Sequence, residues 1–195
     1  MISFFISLAI AYLLGSLSTA IIASKIFKTV DPRTEGSMNA GATNVLRLAG
    51  KKQAIIVLVG DTLKGLIAVW IAAHVFGVQP FGLGLVALVA VVGHIFPVYF
   101  KFEGGKGVAT AIGGVLGLSF ISGILMIAVW IAIAFVTRFS SLASLAAVVL
   151  APVFLLIFAK AAFFVPTALM AALIIWKHKE NILRLRAGTE SKITY

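Results

Sequence analysis

The stretch AIIVLVGDTLKGLIAVWIAAHVF, Ala54 to Phe76, decides the fold. It has the length of a membrane-crossing helix, which needs about 20 largely apolar residues. Yet it carries Asp61 and Lys64 near its middle. Ionisable groups inside a bilayer are costly and are functional by default. At i and i+3 the two share a helix face and can pair, so Lys64 is expected to point into a helix bundle and not at lipid. A structural ion pair that neutralises itself inside the bundle is the alternative.

Comparable apolar runs lie on both sides: Ile2–Ser24, Phe81–Phe100, Val108–Leu118, Phe120–Val136, Leu142–Phe158 and Ala162–Trp176. Of the 195 residues 62% are hydrophobic and 11% charged. A soluble domain of this size could not cover so much apolar surface. The expected fold is therefore all-α, a polytopic membrane protein of seven transmembrane helices forming one domain over residues 1–195. The first run lacks a basic residue before its apolar core and reads as a span, not as a cleaved signal peptide. Val108–Leu118 is about three turns long, and seven spans require a turn at Gly117–Ser119. With no cysteine, disulfides and thiolate chemistry are excluded, and three histidines in unrelated contexts do not suggest a zinc cage.

With seven spans, all of the sixteen Lys and Arg residues except Lys64 and Lys160 fall on one side. The positive-inside rule then puts the N-terminus outside and the C-terminus in the cytoplasm. A six-span chain would split the basic 101–106 and 177–192 segments between two sides. All acidic residues except Asp61 also fall on the cytoplasmic side. His74 comes at the outer end of its helix, at the interface.

Three polar blocks interrupt the apolar pattern. The first, DPRTEGSMNAGATNVLRLAG (Asp31–Gly50), is long for an inter-helix loop. Gly36 and Gly41 let backbone N–H groups approach an anion. Ser37, Asn39, Thr43 and Asn44 add donors, and Arg47 can hold a phosphate bidentately. A plain loop with Thr43 or Asn44 as the next helix's N-cap is the other reading. The second block is GDTLKG (Gly60–Gly65). The third is HIFPVYFKFEGGKGVAT, running from His94 to Thr110.

The third block is not a Walker A loop. Phe100 stands where the first glycine belongs, and Gly107 replaces the metal-binding hydroxyl. What remains is Lys106 among Gly104, Gly105 and Gly107 before a helix N-terminus, which has the makings of an anion nest. Ser140 and Ser141 are expected to cap the next-to-last span, with Ser144 a turn inside and able to face a site. The basic segment WKHKENILRLRAG has the pattern of an interfacial helix, and its His178 and Asn181, again i and i+3, can reach one ligand.

Together the blocks resemble the three motifs of the bacterial acyl-phosphate:glycerol-3-phosphate acyltransferase family, PlsY. The first motif is matched by GSLSTA (Gly15–Ala20) with DPRTEGSMNAGATN (Asp31–Asn44), the second by GDTLKG, and the third by HIFPVYFKFEGGKGVAT. Ser18 stands for the usual Pro, Asp31-Pro32-Arg33 for Asp-Ile-Arg, and Met38 for a Gly. The resemblance implies acyl transfer from acyl phosphate to the 1-hydroxyl of glycerol 3-phosphate at the inner cell membrane, as the first acylation of phospholipid synthesis. Lysophosphatidic acid and phosphate are its products. It implies a cytoplasm-facing site, no metal or nucleotide cofactor and no nucleic-acid partner; a monomer is one reading of an oligomeric state that the sequence leaves open. Lys106, Ser37, Arg47 and His178 are expected to act in catalysis. Asn39, Gly41, Thr43, Asn44, Asp61, Lys64, His94, Gly104, Gly105, Gly107, Thr110, Ser144 and Asn181 are expected to bind substrate with them.

Two other enzyme classes are excluded. The His-x-x-x-x-Asp pair of other acyltransferases is absent, because Gln79, Tyr99 and Leu183 follow the three histidines at that spacing. No G-x-S-x helix with a partner histidine suggests an intramembrane protease. A transporter for small organic phosphates remains the alternative, although it leaves unexplained why polar residues cluster on one side only.

Overall fold

The computed structural model describes residues 1–193, which form helices and the turns between them, with no strand among the described residues. In chain order the helices are α1 Ile2–Gly15, α2 Thr19–Ile26, α3 Ala42–Ala49, α4 Lys51–His74, α5 Pro80–Ile95, α6 Val108–Leu118, α7 Phe120–Thr137, α8 Ser140–Phe158, α9 Phe164–Lys177 and α10 Lys179–Arg186. Four helical stretches, α4, α5 with its following turn, α7 and α8, are long and apolar enough to cross a membrane alone. The number rises to as many as six if the bent pairs α1–α2 (40°) and α9–α10 (60°) each act as one span.

The expected continuous segment Ile2–Ser24 is thus two helices. Ser18 caps α2 by accepting the Ile21 N–H, and Ser16 turns its hydroxyl onto the Tyr12 carbonyl. Hydroxyls that bond the backbone compete with the helical ladder, and here they end it. The break releases the Leu17 carbonyl from α2's ladder, where Lys64 uses it. The expected turn between α6 and α7 is present: Ser119 is extended and accepts the Ser122 N–H at 3.3 Å. At 11 residues α6 is about 16 Å long, roughly half of a hydrocarbon core of about 30 Å.

Two interlocking cores hold the bundle. One gathers Val91, Ile95, Val115, Met126, Val148, Leu155, Met170 and Ile174 from α5 to α9. The other packs Ala11, Ala68, Val69, Ala72, Val86, Ala87 and Ala90 between α1, α4 and α5. Large apolar side chains such as Ile55, Trp70, Phe120, Phe135 and Ile157 face outward. A helix bundle with apolar side chains both inside and outside is built for lipid surroundings. His74 ends α4 with its ring stacked on Trp70.

The closest helix crossing positions the site. α4 lies against α6 because each offers glycine where they meet. A Cβ at Gly113 would stand 1.8 Å from the Thr62 carbonyl oxygen, and one at Gly65 would stand 2.1 Å from that of Thr110. Small residues let membrane helices approach to backbone contact. Backbone contact here sets the N-terminus of α6 beside the polar turn of α4 that carries Asp61.

Candidate active site

The long first block folds around one buried side chain. Asn44 accepts the Ser37 N–H on Oδ1 at 2.9 Å and donates through Nδ2 to the carbonyls of Pro32 and Glu35. It borders the cavity, but its amide is spent on shaping the loop that presents Ser37, Asn39 and Gly41. Gly41, not Thr43 or Asn44, is the N-cap of α3. Met38, at the family's glycine position, takes the left-handed conformation (φ 52°) with its side chain turned out. Arg33 pairs with Asp31 at 2.7 Å and reaches Glu103 at 3.3 Å, joining the first block to the third. Its guanidinium holds the Asp31 carboxyl below the usual carboxylate range, against the opposing effect of burial.

A cavity of about 810 Å³ opens where the blocks meet. Its polar end is bordered by Ser37, Asn39, Gly41, Thr43, Arg47, Asp61, His94, Lys106, Gly107, Ser144, His178 and Asn181. Its other wall is apolar, from Val108, Ile112, Ile127, Trp130, Ile131 and Leu58. Leu58 and Ile131 are also among the outward-facing residues, so the cavity reaches the lipid-facing surface between α4 and α7.

Four expected ligands stand elsewhere. Lys64 is buried behind the wall, held by Asp61 at 2.9 Å. Thr110 is fully buried on α6 against Gly65. Gly104 and Gly105 pack on His94: a Cβ at Gly104 would meet the His94 carbonyl oxygen at 2.0 Å, and one at Gly105 would meet its Nε2 at 2.2 Å. The Gly105 N–H donates to the His94 carbonyl at 3.2 Å. These glycines serve close packing rather than a nest of free N–H groups. Gly107 borders the cavity and takes φ +89° as the N-cap of α6. The serine caps are corrected too. Phe139 is the N-cap of α8, and the Ser140 hydroxyl pairs with that of Thr43 at 2.9 Å. The hydroxyl of Ser144 accepts the Trp130 indole N–H at 3.1 Å.

The C-terminal segment supplies what sequence reasoning missed. After α10 the chain turns at Gly188 (φ +70°) and returns across the cavity. Glu190 accepts from Asn181 Nδ2 at 2.6 Å and from Arg184 Nε at 2.7 Å. Lys106 donates to the other end of the same amide, Asn181 Oδ1. Arg47 donates to the Ser191 carbonyl at 3.3 Å. The Ile193 N–H bonds the Arg138 carbonyl at 2.7 Å, and its side chain enters a small cluster with Ala134 and Ala143. Glu190 and Arg184 thus join the site. Their only trace in the sequence is charge, which topology already accounts for.

The charges are tuned by burial. Desolvation, aided by the Arg184 charge, lowers the Lys106 ammonium to about 8, with Glu190 opposing. Burial also takes the His178 imidazole down to about 4, so it is neutral at physiological pH. Its Nδ1 lies 2.8 Å from the Ile174 carbonyl. A carbonyl only accepts, so Nδ1 carries the proton and Nε2 is left bare as an acceptor. Burial disfavours the Glu190 carboxylate, yet the neighbouring Ser141, Asn181 and Arg184 side chains keep its pKa below the usual value. Among the described residues no three His, Cys, Asp or Glu side chains come together as metal ligands would.

Residues 5–188 match the family described as glycerol-3-phosphate acyltransferase. The chain belongs to that family. A glycerol-3-phosphate acyltransferase of Coxiella burnetii is 54% identical, over 98% of both chains. One from Thioalkalivibrio sulfidiphilus is 49% identical, over 94% of this chain and 90% of its own. Among solved structures, the crystal structure of PlsY in its glycerol 3-phosphate form matches with a TM-score of 0.92 at 40% identity, over 98% of this chain and 96% of that one. Its lysophosphatidic acid form matches with a TM-score of 0.90. That protein is described as an integral membrane glycerol 3-phosphate acyltransferase.

Proposed function

We propose that this acyltransferase takes its acyl group from acyl phosphate and gives it to the 1-hydroxyl of glycerol 3-phosphate, releasing lysophosphatidic acid and phosphate. One observation carries the reading: a single cavity joins a cationic, hydrogen-bonding end to an apolar wall that reaches the lipid-facing surface. Both substrates are phosphate esters or anhydrides, and one brings an alkyl chain out of the membrane. Two unit charges about 4 Å apart are worth roughly 4 kcal/mol at an effective dielectric near 20, so several cations are needed to gather two polyanions. Arg47, Lys106 and Arg184 meet that need.

In the reaction the glycerol oxygen attacks the acyl carbon. The carbon's bond to the phosphate oxygen breaks, and phosphate leaves with the electron pair. The hydroxyl proton goes to a phosphate oxygen. With a pKa of about 4, His178 is a weaker base than a phosphate monoester, whose second pKa is near 6. Its bare Nε2 orients the hydroxyl by accepting a hydrogen bond. Asn181, fixed between Lys106 and Glu190, holds the neighbouring polar groups, and Ser37 and Asn39 close the site from the first block. We place this end on the cytoplasmic side of the inner membrane, because the basic loops collect there. Family membership and the one-ended site speak against the transporter alternative.

The test is direct. Purified protein given acyl phosphate and glycerol 3-phosphate should release phosphate and form lysophosphatidic acid in equal amounts. Omitting glycerol 3-phosphate should stop both. Transport of glycerol 3-phosphate into vesicles without acylation would overturn the reading.

A further inference from the structure

The pair inside α4 does more than neutralise itself. Lys64 Nζ lies 2.9 Å from Asp61 Oδ1, 2.9 Å from the Leu17 carbonyl and 2.8 Å from His94 Nδ1. An ammonium has three donors and no acceptor. All three protons are therefore committed, and His94 Nδ1 must meet the third with its lone pair. Asp61 cannot take a proton from that nitrogen, being 3.8 Å away, beyond hydrogen-bond range. The His94 ring is thus neutral, with its single proton on Nε2. That nitrogen stands beside Gly105, the residue before Lys106, where even a methyl group would collide with it, and both His94 and Lys106 border the cavity.

We propose that Asp61 and Lys64 lock His94 as an Nε2–H donor that hydrogen-bonds a phosphate oxygen of bound substrate next to Lys106. The pair are positioning residues, acting through His94. The proposal rests on the acyltransferase reading. It also gives the two cavity histidines opposite tautomers. His94 presents a donor, and His178, whose Nδ1–H is spent on Ile174, presents an acceptor. A site that must grip a phosphate and orient a hydroxyl needs one of each. Neither role follows from the residue type, because each is imposed by what holds the far side of the ring. The glycines of the third block gain a reason as well. Gly105 leaves room for the Nε2–H, and its N–H ties the Lys106 turn to the His94 carbonyl, so donor and ammonium move together.

The tautomer can be read without turnover. In protein labelled with ¹⁵N-histidine, resonances assigned with His74→Gln and His94→Gln should show His94 protonated at Nε2 and bare at Nδ1, and His178 the reverse. A His94 protonated at Nδ1 overturns the proposal. Adding glycerol 3-phosphate or a non-transferable acyl phosphonate should shift His94 Nε2. The ligand that moves it identifies which phosphate it holds, and no shift with either overturns the donor role. In kinetics, His94→Leu should lose about 10–100-fold in kcat/KM, the worth of a hydrogen bond to a charged group, mostly through KM. His94→Gln, which keeps an N–H donor, should recover most of it. If both variants instead lose about 10²–10⁴-fold in kcat and shed the acidic limb of the pH profile, His94 is a general base and the proposal fails. Lys64→Met should let the His94 tautomers mix. Should that variant not fold, the wild-type spectrum still decides. A wild type that forms no lysophosphatidic acid overturns the acyltransferase reading alone, since the spectrum reports the donor independently.

Discussion

Lys106 sits where burial and a charged neighbour pull its ammonium toward neutrality, and this gives it a pH signature. With its pKa near 8, the free enzyme loses the charge as pH rises through that value. The log of kcat/KM, which reports the free enzyme, should therefore fall on a basic limb near pH 8. Lys106→Ala should cost about 10²–10³ in kcat, as loss of one preorganised donor does. Lys106→Arg should stay below wild type, because a planar fork does not fit among the glycines, and should lack the limb. Glu190 favours the ammonium, so Glu190→Gln should move the limb to lower pH; an unmoved limb would detach Glu190 from the site. Lys106 was legible as a lone cation among glycines before a helix. Glu190 was not. Its partners are six and nine residues back across a glycine turn, and the segment carrying it is tied to Arg47, whose bond to Ser191 spans 144 positions. No local pattern encodes such a return.

At the scale of the helix, what matters is how closely two backbones meet. A Cβ at Gly113 would fall on backbone atoms of α4 and not on a side chain that could swing away. Gly113→Val should cost at the upper end of the usual overpacking range, about 3 kcal/mol, and a lowered thermal transition in detergent would register it. The opposite sign is expected in the first block. Met38 holds a left-handed backbone, worth about 1–2 kcal/mol of strain, with its side chain in the open. Met38→Gly should relieve the strain and raise stability by up to about 1 kcal/mol once glycine's added entropy cost is subtracted. The same unfolding measurement applies. Helix existence was readable here because apolar length accumulates along the chain. The break at Ser16–Ser18 was not, since only hydroxyl geometry distinguishes it from a continuous span. Nor was the spending of Asn44 inside its own loop, because an asparagine that binds a ligand and one that ties a turn look alike in sequence.

At the scale of the whole molecule, the proposed orientation, with the basic loops on the cytoplasmic side, is open to a direct test. Single cysteines at Glu35, Glu103 and Thr189 should react with an impermeant maleimide only in inverted vesicles, and one at Gln79 only in right-side-out cells. Labelling of Glu103 from outside would reverse the arrangement. The returning segment after Gly188 carries a practical consequence. Ile193 is packed against Ala134 and Ala143, while Met1 is fully exposed. An affinity tag fused after Tyr195 follows closely on Ile193, a side chain wedged into the fold, and it pulls on the backbone that Arg47 and Glu190 hold over the cavity. A tag before Met1 meets only the first turn of α1, far in sequence from that backbone. Preparations that differ only in which end carries the tag should therefore differ in KM, and the N-terminally tagged one is the faithful material for screening inhibitors.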